Sequence, residues 1–246
     1  MNFQYIPTIE KPDFYLDITF RKAKKNSQEY WNKIKSRSKL GKHKQIQTYK
    51  INIVKDNLVA KFEKILKSFP ELESIHRFYQ ELVKCTLSYG RMKKCLGGVN
   101  WCKNKIEKIH KVYTNKMRRS RSTSQLKQYR IEFYGRVSSL VKQIKDELKY
   151  LEYCRKTMRD YPDIKLQLFT VCIAGFPNVG KTTLLSKLTT ASPEIKSYPF
   201  TTKSLNLGFL EKNYKKIQFI DTPGTLNRLN KMNNVEKQAY LAIKYL

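Results

Sequence analysis

Gly175-Phe176-Pro177-Asn178-Val179-Gly180-Lys181-Thr182 is the stretch whose reading decides the fold. It fits G-x-x-x-x-G-K-[ST], a loop whose backbone N–H groups curl around phosphates, whose lysine reaches the β and γ oxygens and whose hydroxyl ligates Mg²⁺. Gly175 and Gly180 are read as the points where the backbone bends toward an anion, and the helix that follows aims its positive end at the phosphates. Upstream, Leu168-Phe169-Thr170-Val171-Cys172-Ile173-Ala174 reads as a strand buried on both faces. A second motif, Asp221-Thr222-Pro223-Gly224, follows the apolar run Ile217 to Ile220. An acid at a strand end can hold Mg²⁺ through water, and a glycine just beyond can offer its N–H to a γ-phosphate.

Working outward, periodicity changes at Lys165. Beyond it come a strand, the phosphate loop, a helix, a loop over residues 192–202, strands over 203–210 and 215–220 around a turn at Asn213, and a helical pattern from about Asn230. That is α/β organisation. Before Lys165 the spacing is helical. Asp13 reads as the cap of a first helix carrying Phe14 and Ile18. Tyr49, Ile53, Leu58, Phe62, Ile65 and Phe69 predict a helix from about Lys42 that Pro70 ends, and another begins at Glu71. A third, with Met92, Leu96, Val99, Ile106, Ile109 and Met117, contains Gly97-Gly98 as a close contact or a bend. Residues 118–124 lack apolar periodicity and read as a loop, whose Arg118, Arg119 and Arg121 serve equally as a basic turn or as RNA contacts. One long helix is then predicted up to Pro162. Four to five helices with short connections imply an antiparallel bundle, with Trp101 and the tyrosines in its core or interfaces.

The 246 residues carry 50 Lys+Arg against 20 Asp+Glu, a formal net charge of +30. Through Lys165 there are 39 bases and 16 acids, and after it 11 and 4, so the excess sits in the helical part. Solvated helices usually carry comparable acid for i,i+4 pairing. Here a polyanion is needed to offset self-repulsion, and nucleic acid is the commonest. No leader or bilayer-length apolar run is evident, which predicts a soluble protein without membrane association. Cys85, Cys95, Cys102, Cys154 and Cys172 form no C-x-x-C pair and read as reduced thiols in cores.

With these residues read, the chain resembles the nucleolar GTP-binding protein 1 family, a branch of the Obg-like class of GTPases. Residues 175–183 are similar to its first GTPase motif, and Ser197-Tyr198-Pro199-Phe200-Thr201-Thr202-Lys203 to its first switch. Asp221-Thr222-Pro223-Gly224, with Arg228 and Asn234-Val235-Glu236-Lys237-Gln238-Ala239, resembles the second switch and its helix. Phe69-Pro70-Glu71-Leu72, Ile75-His76-Arg77-Phe78-Tyr79 and Tyr150-Leu151-Glu152-Tyr153-Cys154-Arg155 resemble landmarks of the family's N-terminal bundle. The resemblance implies a ribosome assembly factor that docks on large-subunit rRNA or the pre-ribosome and binds GTP or GDP with Mg²⁺. It would be cytoplasmic and ribosome-associated, or nucleolar in a eukaryote.

On that reading residues 1–165 form the basic bundle, and 166–246 the first half of a Ras-like P-loop GTPase domain. Asn178, Val179, Gly180, Lys181, Thr182, Thr183, Thr202 and Gly224 would bind nucleotide, and Thr182, Thr202 and Asp221 would hold Mg²⁺ directly or through water. Asn178 resembles the asparagine this class links to potassium activation, which adds K⁺ as a candidate ion. Three departures stand out. Asn227 and Leu229 replace the family's Asp and Pro around Arg228, and Thr225 follows Gly224, so no glutamine positions water and hydrolysis should be slow or absent in this chain alone. No Asn-Lys-x-Asp guanine-reading motif is present. The expectation is a truncated chain, or the N-terminal product of a split gene, whose phosphate-loop strand is an open edge until a complementary C-terminal polypeptide joins it. The alternative is an rRNA-binding scaffold with an incomplete, unused nucleotide site. An unrelated phosphate-loop kinase leaves both switch-like stretches unexplained.

Overall fold

Helix formation in the N-terminal part follows from apolar residues at three-and-four spacing, sorted onto one face. In the computed structural model, which describes residues 3–36, 38–176, 178–189, 194–196, 205–212, 215–222 and 234–246, two units are distinguished. The first comprises residues 7–69 and 90–153, and the second residues 1–6, 70–89 and 154–246.

The first unit is built on α1 (Pro12–Lys33), α2 (Lys39–Ser68), most of α4 (Tyr89–Arg119), α5 (Thr123–Gln143) and the start of α6 (Lys145–Arg159). Helix α1 starts with Pro12, whose missing N–H costs nothing at that position. Its cap is Lys11, with no side-chain hydrogen bond, rather than Asp13, which stands in the first turn. The Ser38 hydroxyl caps α2 by accepting from the Gly41 N–H at 2.9 Å, a contribution of about 1 kcal/mol. Ile51, Val54, Leu58 and Phe62 on α2 are fully buried, each side chain contributing roughly 1.5–3 kcal/mol. The predicted face is therefore the packed one. The Tyr15–Phe62 contact (5.9 Å) and the Tyr30–Tyr49 stack (4.1 Å) run α1 antiparallel to α2. Asn52–His110 (2.7 Å) and Glu63–Lys103 (3.5 Å) do the same for α2 and α4.

Of the two readings of Gly97-Gly98, a close contact or a bend, the close contact holds: helix α4 runs unbroken through the pair, and a Cβ at Gly98 would lie 3.0 Å from Glu147 Cγ. Three details differ from the sequence reading. The loop predicted over 118–124 shrinks to Ser120–Ser122, because Arg118 and Arg119 complete α4 and the Ser122 hydroxyl caps α5 from the Gln125 N–H at 3.2 Å. The single long helix divides at Ile144 into α5 and α6, with Asp146 and Glu147 favoured by the positive end of α6. Trp101, read as core or interface, is 42% exposed and so lies outside the core.

In the second unit, Glu71 does not start a helix. A 3₁₀ turn over Leu72–Ser74 intervenes, and α3 (Arg77–Thr86) begins after His76, whose ring nitrogen accepts from the Phe78 N–H at 3.3 Å. Strands β1 (Phe169–Ile173), β2 (Glu194–Lys196), β3 (Leu205–Lys212) and β4 (Lys215–Asp221) form one sheet in the order β1-β4-β3-β2. The β1–β4 pair is parallel, and β4–β3 and β3–β2 are antiparallel. Helix α7 (Lys181–Leu188) follows the glycine loop, and α8 (Asn234–Tyr245) packs against α3, where Arg77 lies 5.1 Å over the Tyr245 ring.

Strand β1 is not buried on both faces as its apolar sequence suggests. It lies at the edge of the sheet, Phe169 is 73% exposed, and Thr170 to Ile173 are half-buried. An apolar run can fill a central parallel strand, but here the described strands cover only one of its edges. Among the described residues, no helix is long and apolar enough to cross a membrane.

Candidate functional site

The glycine loop leaves β1 at Ala174 and enters α7 at Lys181. Two residues turn it in the left-handed region, Asn178 at φ 63° and Gly180 at φ 86°. The second is why glycine is needed: a side chain would make that conformation costly. At Gly175 an added Cβ would meet only ordinary contacts with the protein's own atoms, 3.5 Å from Val179 Cγ2 and 3.7 Å from Lys181 Cδ. Asn178, Val179, Gly180 and Thr183 are exposed along the loop and the first turn of α7. The Lys181 ammonium donates to the Phe176 carbonyl oxygen at 2.7 Å and so bridges its own loop. Sequence motifs name the lysine but not this internal acceptor.

The two motifs, 39 residues apart, meet. The Thr182 hydroxyl donates to the Asp221 carboxylate at 2.6 Å, and Asp221 is 4% exposed at the end of β4. A hydroxyl and a carboxylate oxygen in contact suit a hard cation such as Mg²⁺, which prefers oxygen ligands and uses one or two from protein. Parallel pairing sets this geometry. Ile173 pairs with Asp221, and the next residue, Thr222, donates both its N–H (3.1 Å) and its hydroxyl (2.9 Å) to the Ile173 carbonyl, locking the strand ends together. Deeper in the sheet the fully buried Gln218 accepts from the Lys165 N–H at 2.9 Å and donates to the Thr170 hydroxyl at 3.1 Å. Its polar character within Lys-Lys-Ile-Gln-Phe-Ile was the sequence signal for this clamp.

Helix α7 is seated on β3 at Gly208. A Cβ there would be 2.4 Å from Thr189 Cγ2 and 2.9 Å from Leu185 Cδ1. This glycine, outside every motif, lets the helix bearing Lys181 and Thr182 reach the sheet. Pro177, Thr202 and Gly224 lie outside the described residues.

In the helical unit, Arg118 and Arg119 end α4 and Arg121 follows in the short loop, all three exposed. Lys44 donates to the Arg118 carbonyl at 2.9 Å, and the buried Ser120 hydroxyl binds the Ser122 carbonyl and the Gln125 side chain, each at 3.1 Å. The arginines therefore stand on a fixed turn. Cys95, Cys102 and Cys154 are buried thiols, whereas Cys85 is exposed rather than in a core.

Residues 3–165 match the family model of the NOG1 N-terminal helical domain, and residues 170–245 match that of the 50S ribosome-binding GTPase. The chain is 37% identical over 245 residues to an uncharacterized protein of Methanocaldococcus jannaschii, covering 99% of this chain and 68% of that one. It is 33% identical to nucleolar GTP-binding protein 1 of Kluyveromyces lactis and 31% identical to that of Saccharomyces cerevisiae, each over 247 residues. Both alignments cover 100% of this chain, which spans 38% of the length of either yeast protein. By these matches, the chain belongs to the nucleolar GTP-binding protein 1 family.

Proposed function

We propose that the chain is a guanine-nucleotide switch of ribosome biogenesis that docks on large-subunit rRNA through its basic helices. The observation that carries the nucleotide half is the Thr182–Asp221 contact at 2.6 Å beside a loop turned by Asn178 and Gly180. In this reading the loop amides from Asn178 to Thr183 hold phosphate oxygens, and Lys181 exchanges the Phe176 carbonyl for them. Thr182 and Asp221, with Thr202, hold Mg²⁺, directly or through water, and Gly224 senses the γ-phosphate. Mg²⁺ when bound neutralises phosphate charge. K⁺ at Asn178 is the finer proposal.

The chain divides by task at Lys165. Residues 1–165 dock, with 39 bases against 16 acids and with Arg118, Arg119 and Arg121 among the contacts, and residues 166–246 bind nucleotide. Further polypeptide carrying the guanine-reading groups completes the sheet along the free edge of β1, where Phe169 is exposed.

Nucleotide binding to wild type and Lys181→Ala tests the site. Wild type should bind GTP in preference to ATP, once the completing polypeptide is supplied, and the variant should lose at least tenfold, a deficit of about 1.4 kcal/mol. Equal affinity in the two proteins would remove the phosphate-loop assignment and leave the rRNA-binding scaffold, which the surplus of bases over acids supports independently.

A further inference from the structure

The helical unit contains a place where positive charge converges without a counter-charge. The Asp13–Lys142 ion pair (3.7 Å) and the Phe20–Tyr134 stack (4.6 Å) run α1 antiparallel to α5 in a fixed register. Lys24 lies one turn beyond Phe20 on α1, and Arg130 one turn before Tyr134 on α5, so the register brings the two level. The Arg130 guanidinium lies 5.4 Å over the Tyr134 ring, while its Nε–H is buried without a hydrogen-bond partner. Helix α2 packs against both α1 and α5 and contributes the half-buried Lys50, adjacent to Tyr49 of the Tyr30–Tyr49 stack.

Ordinary helix surfaces would place acid here. Of the six carboxylates on these helices, five are engaged elsewhere: Asp13 with Lys142, Asp17 with Arg21, Asp56 with Lys55, Glu63 with Lys103, and Glu132 with the Tyr113 hydroxyl; the sixth, Glu29, is exposed towards the end of α1. Among the described residues, no ion pair joins Lys24, Lys50 or Arg130 to an acid. Burial, followed by the charges of Arg130 and Lys24, lowers the Lys50 pKa from its ordinary value. Like charges held together by packed aromatic residues are unfavourable unless an anion binds between them. An arginine fork beside a lysine is suited to phosphate oxygens, and the orphaned Nε–H is a donor in need of such an acceptor.

We propose that Lys24, Lys50 and Arg130, converging from α1, α2 and α5, form a seat for a backbone phosphate of RNA. This rests on the rRNA-docking reading above and localises it to one face of the helices, apart from Arg118, Arg119 and Arg121.

The test is filter binding of the full chain to a large-subunit rRNA fragment between about 50 and 200 mM salt, a range over which phosphate contacts dominate the affinity. Wild type is compared with Lys50→Gln/Arg130→Gln and with Lys93→Gln/Lys108→Gln, an exposed pair on α4 that removes the same charge. Loss of one phosphate contact should reduce the slope of log affinity against log salt by about 0.7–0.9 and weaken binding roughly five- to eightfold near 0.1 M salt. The control pair should change affinity less than twofold. Equal losses in both pairs would overturn the seat, since only the diffuse field would then matter. So would polyglutamate displacing the RNA as well as phosphate polyanions of equal charge do. A flat salt slope in wild type would instead remove the docking reading itself. Lys50→Gln alone guards against misfolding: its thermal midpoint should equal or exceed that of wild type while RNA binding weakens, and a lowered midpoint would assign the lysine a structural role and refute the proposal.

Discussion

Replacing Gly208 by alanine should loosen α7, the helix of the proposed nucleotide site, from its sheet without touching a motif residue. The new Cβ would stand 2.4 Å from Thr189 Cγ2, 2.9 Å from Leu185 Cδ1 and 3.2 Å from Thr189 Cβ. Something must move. Strand β3 is held by its pairing to β4, Gly208 opposite Phe219, so the freer element is α7. Leu185 is fully buried, and Thr189 donates its hydroxyl to the Leu185 carbonyl at 2.9 Å, so neither side chain can simply rotate away. Overpacking of this kind costs about 1–3 kcal/mol. Hydrogen exchange resolves the effect by region: amides of β3 and β4 should exchange about five to 150 times faster, while those of α2 remain unchanged. Because α7 begins at Lys181, its displacement should also weaken nucleotide binding. Thr189→Ser removes the methyl nearest the new Cβ while keeping the hydroxyl, so the double variant should be less destabilised than the sum of the two singles. Unchanged exchange in Gly208→Ala, or simple additivity in the double variant, would refute the reasoning.

Two further outcomes follow from buried polar groups. Gln218→Leu removes the acceptor of the Lys165 N–H and the donor to Thr170, and should lower stability by about 1–3 kcal/mol in urea unfolding; a neutral result would show that the clamp does not contribute. The Tyr79 hydroxyl donates to the Pro162 carbonyl at 2.7 Å and accepts from the Ile164 N–H at 3.0 Å, and burial raises its pKa to about 12. Since the folded value exceeds the unfolded value of about 10, the stabilising contribution is full below pH 10 and is lost as pH rises from about 10 to 12. Urea midpoints measured across that window should fall for wild type. The fall should be shallower for Tyr79→Phe, although Tyr15, Tyr113 and Tyr134 also have raised values, and identical profiles would sink the assignment.

What could be read from the sequence was what depends on short-range pattern. The glycine loop, its flanking strand and helix, and strands β3 and β4 each declare themselves through local pattern, and the apolar faces of α2 and α4 through their spacing. The missed features depend on where elements meet. Ile144 is 2% exposed and no glycine or proline marks it, yet α5 ends there, because the turn is set by packing rather than local propensity. Gly208 belongs to no turn. Its missing Cβ matters only because α7 passes over that point of β3, a fact invisible from strand periodicity.

Charge shows the same division and explains why the basic excess is more than a surface property. Counting residues through Lys165 reveals surplus positive charge but not whether it is dispersed in water or gathered between helices. Lys24 belongs to the basic run Arg21-Lys22-Ala23-Lys24-Lys25, whereas Lys50 lies between Tyr49 and Ile51 and Arg130 between Tyr129 and Ile131, outside any such run. Only the register fixed by Phe20–Tyr134 and Asp13–Lys142 brings Lys24 level with Arg130, and only helix packing adds Lys50. Dispersed lysines would gain little from a fixed anion, because each is already solvated and screened. Three cations held together by half-buried, stacked aromatics, one with an unpartnered N–H, gain most from a ligand that supplies several acceptors at once. The fold thereby turns part of a diffuse excess into a position at which a polyanion can be held in register.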